Sequence, residues 1–278
     1  MRKPGDTHGE LLRCLEMTRD DDRLWTDRSL LRDVQYRTDA NLVARQSLYR
    51  WQRPRLNLPS VVLDLAAVRG SDTVADVGCG NGAYLAELAR RRHAGPVLGI
   101  DLSAGMLHAA RRRAPTAILA AGDAAALPLG DDVSDLTLAM HMLYCLPGPR
   151  AAVRELRRIT RPGGPVLVVL NGEDHLRELR DLITAVLTRV TGGQPWRRQR
   201  LRLDEGEALL AGEFTSVIRH DFTGELLIPE PGPVEDYVRS MPIVQDQPDP
   251  SGFAAAAAGL IPRGPFRVRT HTGCLVCR

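Results

Sequence analysis

Nine residues, Val74-Ala75-Asp76-Val77-Gly78-Cys79-Gly80-Asn81-Gly82, constrain the fold more than any other stretch of this chain. An apolar run opens into alternate glycines and then into a helical pattern. Glycines spaced this way clear Cβ atoms from the turn, so the main chain can bend sharply and bring its own N–H groups against a ligand. The alternation continues downstream. Strands are predicted at 73–77, 97–101, 117–120, 136–140 and 166–170, separated by helical patterns such as 83–93 and 150–160. In the latter, Ala152, Val153, Leu156 and Ile159 share one helix face, and Arg161-Pro162-Gly163-Gly164 stops it. Strand and helix in repeated alternation imply a parallel sheet covered on both sides.

The acids around this turn narrow the ligand. A dinucleotide site offers its glycine turn to a pyrophosphate, which Asp76, two residues before the first glycine, would repel; a cationic, amine-bearing ligand suits it. Asp101, at the end of the second strand, can take both hydroxyls of a ribose. Gly122-Asp123-Ala124-Ala125-Ala126-Leu127-Pro128 follows the third, where Asp123 can accept an adenine amino group. With these three segments in order, the chain resembles the class I S-adenosylmethionine-dependent methyltransferases, whose motifs run D-x-G-x-G-x-G, a strand-end acid, and G-D-x-x-x-L-P. The Pro-Gly-Gly stop is similar to that family too. The resemblance covers residues 30–278, with specific motifs confined to 74–175, and its type is that of bacterial small-molecule enzymes (methyltransferase type 11).

The resemblance implies an α/β fold: a Rossmann-like sheet of seven strands, mostly parallel with the last antiparallel, helices on both faces and an N-terminal helical cap. It divides the chain into a cap (1–60), an S-adenosylmethionine-binding core (61–171), and a substrate-side insertion with closing strands of the same domain (172–278). The donor site it implies comprises Asp76, Gly78, Cys79, Gly80, Gly82, Asp101, Leu102, Met106, Asp123, Ala124 and Met140. Tyr36 and Arg45 of the cap close over the methionine end, where an arginine can pair with a carboxylate bidentately. Gly78-x-Gly80-x-x-Ala83 also satisfies the dinucleotide fingerprint, so an NAD(P)-dependent oxidoreductase stays open as the alternative. A protein that binds S-adenosylmethionine for a reaction other than methylation stays open as well.

Methyl transfer from a sulfonium is an in-line displacement that asks mainly for positioning in a dry pocket, with S-adenosylhomocysteine as product. A hydroxyl acceptor must also lose a proton. His141, at the tip of the fourth strand, and His175, after the fifth, are the candidate bases. Trp196-Arg197-Arg198-Gln199-Arg200 reads as a solvated basic turn, with contact to an anionic acceptor as the alternative. The chain lacks the N/D-P-P-Y/F sequence of base N-methylating enzymes, having Met140-His141-Met142-Leu143 instead, and Cys145-Leu146-Pro147 is not the Pro-Cys of cytosine carbon methylation. Asp135 begins its strand rather than ending it, so no magnesium or other metal is expected. What remains is an O or N atom of a small-molecule acceptor, in bacterial secondary metabolism by analogy.

With 278 residues and 44% hydrophobic content the chain can bury a full core. Its net charge of +3 is mild, and of 37 basic residues only Lys3 is a lysine. Many arginines close predicted helices, where they complement the helix dipole, so no nucleic-acid partner is expected. No apolar run approaches a membrane span and no leader pattern is visible, which points to a cytoplasmic protein without a membrane partner. A homodimer is left open. Five scattered cysteines suit reduced thiols. Cys274-x-x-Cys277 would point its thiols to opposite faces of a strand. Two amphipathic helical pieces (29–36, 41–51) make up the cap. Later elements are a helix at 174–191 ended by 192–195, a hairpin at 217–228, helices at 233–240 and 254–258, and a last extended segment at 266–277 with a turn near Thr272-Gly273.

Overall fold

The computed structural model describes residues 21–191 and 201–278; the Trp196 to Arg200 stretch lies outside them. The amino-terminal part is helical: α1 (Asp21–Thr26), α2 (Arg28–Leu30) running into a π-helical turn (Leu31–Gln35), α3 (Ala40–Ser47) and a 3-10 turn (Leu48–Trp51). The Asp27 carboxylate starts α2 by accepting from the Ser29 and Leu30 amides. Strand β1 (Gln52–Arg53) and helix α4 (Leu58–Leu65) follow. Then come β2 (Val74–Val77), α5 (Ala83–Arg90), β3 (Val97–Asp101), α6 (Ala104–Arg113), β4 (Ile118–Ala121), β5 (Leu136–Met140), α7 (Pro149–Ile159) and β6 (Val166–Asn171). The chain continues through α8 (Arg177–Thr191), α9 (Leu203–Ala211), β7 (Val217–Ile228), α10 (Gly232–Arg239), α11 (Pro242–Gln245), α12 (Pro250–Ala258) and β8 (Phe266–Cys277).

One eight-stranded sheet, in the order β1-β7-β8-β6-β5-β2-β3-β4, organises the described residues. Strands β2 to β6 run parallel, and β8 inserts antiparallel between β6 and β7. Every residue of β2 and β5 is buried, as expected of parallel strands covered on both faces. On one face the Ala152, Val153, Leu156 and Ile159 stripe of α7 packs with Leu203 and Leu210 of α9 over Val77, Ala139 and Val168. On the other, Val62 and Leu63 of α4 and Tyr84 and Leu88 of α5 cover Val74, Leu138 and Val169. Cys274 lies in the second of these layers and Cys277 in the first, on opposite sides of the sheet. A third apolar cluster joins Leu48 to α8, α10, α11 and α12 over Leu226, Ile228 and Val268.

Three expectations need correction. The sheet has eight strands, not seven, because Gln52 and Arg53 leave the helical cap and pair with Leu226 and Glu225 at the edge of β7. Residues 217–228 form no hairpin but one twelve-residue strand. The chain makes no turn at Thr272-Gly273 either, since β8 is paired with β7 along its whole length, from Phe266 against Ile228 to Cys277 against Val217. Both misreadings have one cause. Gly224 and Gly273 look like turn residues, but each is a point of close approach: a Cβ on Gly224 would come 2.6 Å from the Arg53 carbonyl oxygen, and one on Gly273 would overlap the Leu203 side chain.

Candidate active site

Strand order reverses direction about β2: the chain goes to β3 and β4 on one side, then crosses to β5 on the other. A crevice opens beyond strand ends at such a point. A cavity of about 100 Å³ lies there, with Val77, Gly78, Asp101, Asp123 and Met142 on the sheet side and Arg28, Leu31 and Tyr36 on the cap side.

The glycine turn shapes its floor. Gly78, Gly80 and Gly82 all have positive φ (71°, 54° and 78°). At Gly78 a Cβ would also lie 2.8 Å from the Met142 Cβ, so only glycine fits. The Gly78 and Cys79 amides both donate to the Ile100 carbonyl, at 2.7 and 3.0 Å, tying the turn to β3. At the end of β3, Asp101 accepts from the Gly80 amide through Oδ2 (2.9 Å) and from the Ser103 amide through Oδ1 (2.8 Å). Burial raises the Asp101 pKa while these amides pull it back. Ser103 caps α6 by accepting from the Met106 amide and also donates to the Tyr36 carbonyl at 2.5 Å, fastening the cap to the core.

Asp76 is fully buried and neither of its carboxylate oxygens has a hydrogen-bond partner. Burial, helped by Asp101, pushes its pKa up to about 8. An unpartnered buried carboxyl is costly unless a cation or donor faces it. Asp123 accepts from the Ala125 amide through Oδ1 (3.0 Å), and its Oδ2 lies 2.5 Å from Arg28. Arg45 of α3 donates to Gln35 Oε1 (2.6 Å), the Ser240 carbonyl (2.5 Å) and the Tyr36 hydroxyl (3.3 Å). Its Nε also donates to the Ser240 hydroxyl at 3.2 Å; all four acceptors are neutral, and among the described residues no carboxylate lies within salt-bridge distance of it.

Of the expected site residues, Tyr36, Gly78, Asp101, Leu102, Asp123 and Ala124 line the cavity together. Gly80 and Gly82 shape the turn behind it. Cys79 packs with Leu85 and Ala110, its thiol pKa raised by burial. Met106 is buried at the start of α6, and Met140 packs in the α4 and α5 layer. Arg45 stands behind Tyr36 rather than in the cavity wall. His141 has a positive φ of 56°, unusual for a residue with a side chain. Its amide donates to the Val169 carbonyl, and burial lowers its pKa to about 4. His175 is buried, its Nδ1 accepting from the His271 amide (3.1 Å) and its Nε2 2.9 Å from the Tyr49 hydroxyl. Burial first, with His141 and Arg180 adding, lowers its pKa to about 3. With Nδ1 occupied and the proton on Nε2, His175 has no free lone pair with which to act as a base in this arrangement. Sequence reasoning did not place Arg28, Leu31, Arg32, Ser103, Met142, Cys145 or Leu146 of the lining in the site; Ser103 and Met142 sit beside the candidates Leu102 and His141, and Cys145-Leu146 features in it only as lacking the Pro-Cys arrangement. Among the described residues no three His, Cys, Asp or Glu side chains are grouped to hold a metal, and no helix is long and apolar enough to cross a membrane.

Comparison with known proteins agrees with this geometry. Residues 75–168 match the family described as "Methyltransferase domain". The chain is 32% identical over 141 residues to a demethylmenaquinone methyltransferase of Renibacterium salmoninarum, covering 50% of this chain and 55% of that protein. It is 32% identical over 120 residues to a malonyl-[acyl-carrier protein] O-methyltransferase of Serratia marcescens, covering 43% and 46%. The matched stretches thus span about half the length of these relatives. Among solved structures, a SAM-dependent methyltransferase of Thermotoga maritima superposes with a TM-score of 0.53 at 15% identity, covering 87% of this chain and 98% of that one; at this identity the likeness is one of fold.

Proposed function

We propose that this chain, whose core is a class I methyltransferase domain of the type 11 kind, transfers a methyl group from S-adenosylmethionine to an oxygen or nitrogen atom of a small molecule. The observation that carries this reading is Asp76. A buried carboxyl with both oxygens unpartnered, beside a cradle of positive-φ glycines, fits a ligand that brings its own ammonium group. Asp101, held square by the Gly80 and Ser103 amides, would take the ribose hydroxyls; Asp123 would take the adenine amino group, with Leu102 and Ala124 beside the ring. Tyr36 and Arg45 would hold the methionine carboxylate, since the Arg45 guanidinium has only neutral partners in the free chain. Bound there, S-adenosylmethionine supplies an electrophilic methyl group on a sulfonium.

The residues of the chain then have two tasks. The cap, fastened through Ser103 and Tyr36, excludes water and holds donor and acceptor in line, which can supply roughly 7 to 11 kcal/mol of the barrier. His141, neutral at pH 7, receives the proton that a hydroxyl acceptor gives up. Both curated relatives are named for small-molecule or carrier-bound acceptors, which supports an acceptor of modest size. A role in secondary metabolism and a cytoplasmic setting belong to the same reading, the latter supported by the four described cysteines being free.

Calorimetric titration with S-adenosylhomocysteine and, separately, NADH tests the donor. Micromolar binding of the former alone is expected. Binding of NADH alone, or of neither, would overturn the assignment.

A further inference from the structure

Beneath the cap, next to Tyr36 and Cys145 of the donor cavity, lies a group of polar rings that donor binding does not use. Tyr49 ends the cap, His141 and Tyr144 follow β5, and His175 follows β6. They are linked pairwise: His141 acts on His175, and Tyr144 senses Cys145, Tyr36 and Tyr49. The Tyr49 and His175 rings stack, centroids 6.2 Å apart and planes 20° from parallel.

The hydrogen bonds fix where the protons lie. A backbone amide can only donate, so the His271 amide 3.1 Å from His175 Nδ1 leaves that nitrogen without hydrogen. Burial keeps the ring neutral. Its one proton is therefore on Nε2 and donates to the Tyr49 oxygen at 2.9 Å. Tyr49, whose own pKa burial raises, retains its hydroxyl proton, and among the described residues nothing accepts it. The His141 ring makes no hydrogen bond among the described residues, in a backbone conformation that costs energy and needs a reason. Arg45 acts on Tyr144 and Arg180 on His175, and among the described residues no carboxylate bonds to any of the rings; Asp101 acts on the neighbouring Tyr36 and Cys145, and Asp174 and Asp181 on Arg180.

We infer that the acceptor is an uncharged or anionic compound carrying a hydroxyl group and a separate carbonyl or carboxylate oxygen, with Tyr49 donating to that oxygen and His141 facing the hydroxyl. This rests on the donor reading above. In the transfer, the acceptor O–H proton passes to His141, the O–CH3 bond forms as the S–CH3 bond breaks, and the electron pair returns to sulfur, leaving a neutral thioether. His141 then releases its proton to water. His175 is a positioning residue, holding the Tyr49 hydroxyl so that its proton faces inward. A cationic amine would meet Arg180 beside His175 and no carboxylate bonded to the rings.

The test titrates the S-adenosylhomocysteine complex with 2-, 3- and 4-hydroxyacetophenone, phenol and benzylamine, then assays methyl ether formation with S-adenosylmethionine. At least one hydroxyacetophenone is expected to bind about tenfold or more tightly than phenol and to be O-methylated, and benzylamine not to bind. Tyr49→Phe should bring that hydroxyacetophenone down to phenol, leaving phenol and S-adenosylhomocysteine affinities unchanged. His175→Leu should do the same, raising KM more than it lowers kcat, while His175→Gln, whose amide can still donate to Tyr49, should retain the preference. Equal binding of phenol and hydroxyacetophenone, an equal loss for both in Tyr49→Phe, preference for benzylamine, or binding of no hydroxyacetophenone would overturn the inference. If these occur while S-adenosylhomocysteine binds, only the acceptor is wrong; if S-adenosylhomocysteine fails to bind, the donor reading falls and takes this one with it.

Discussion

At the scale of single residues, three buried titratable groups set the pH response of the free chain. Asp76, pushed up to about 8, holds a proton in the folded state that the unfolded chain has released above about pH 4. Its contribution is therefore full at low pH and lost as pH rises to 8, by about 1.4 kcal/mol per pH unit. His141 and His175, lowered to about 4 and about 3, have the opposite sign: their contribution is full above 6.5 and lost as pH falls through the window down to those values. Below 6.5 the two histidines outweigh Asp76, and above it Asp76 acts alone, so these groups place the stability maximum near pH 6.5. Thermal unfolding from pH 5 to 9 should show that maximum, and Asp76→Asn should remove the decline above it while weakening S-adenosylhomocysteine. A variant that declines as the parent does would show that Asp76 is not the buried acid. Asp101→Ala removes an acceptor of charge-assisted hydrogen bonds, a loss of about 2 kcal/mol or roughly 30-fold in donor affinity; titration giving an unchanged affinity would displace Asp101 from the ribose.

Elements were legible in the sequence where one periodicity dominated. The strands β2, β3, β5 and β6 are short apolar runs bounded by turn residues, and α7 has a clean apolar stripe, so local pattern and tertiary burial agree. Elements were misread where glycine serves packing between distant segments. Nothing near Gly224 or Gly273 in the chain announces that Arg53 or Leu203 will press against it. The same limit hid Arg28. Its helix gives no sign that it will reach Asp123, 95 positions later, at 2.5 Å. That pair latches α2 to the segment after β4, across the place proposed for adenine. It is exposed, with side-chain accessibilities of 53% and 24%, so its worth is at most about 1 kcal/mol. Arg28→Ala should accordingly speed S-adenosylhomocysteine association in stopped-flow by no more than about fivefold and reduce its salt dependence. Unchanged or slower association would mean that the latch does not compete with the donor.

For the whole molecule, the sheet and the small amino-terminal helices carry different duties. The acids proposed for the donor sit at or just beyond the ends of rigid strands, so their spacing in sequence translated directly into neighbouring positions. The cap residues reach the same cavity through Ser103, Asp123 and Asn81, the last donating to Gln46 at 3.1 Å, a set of long-range polar links that no linear pattern encodes. Within the cap, the segment 28–39 buries only Leu31 and Gln35, whereas Leu48 is anchored in an apolar cluster, so that segment should open more readily than the core, because local opening free energy follows buried apolar contact. Donor binding adds contacts on both sides and should close it. Hydrogen exchange with and without S-adenosylhomocysteine is therefore expected to slow at 76–82, 101–106 and 122–126, and also across 28–51. The lower half of the β7 and β8 ribbon, where Val217 to Phe222 pair with Thr272 to Cys277 away from the cavity, should exchange as before. Protection confined to the strand ends would make the cap a fixed wall, and the donor would then have to enter by a route that leaves Arg28 and Tyr36 in place.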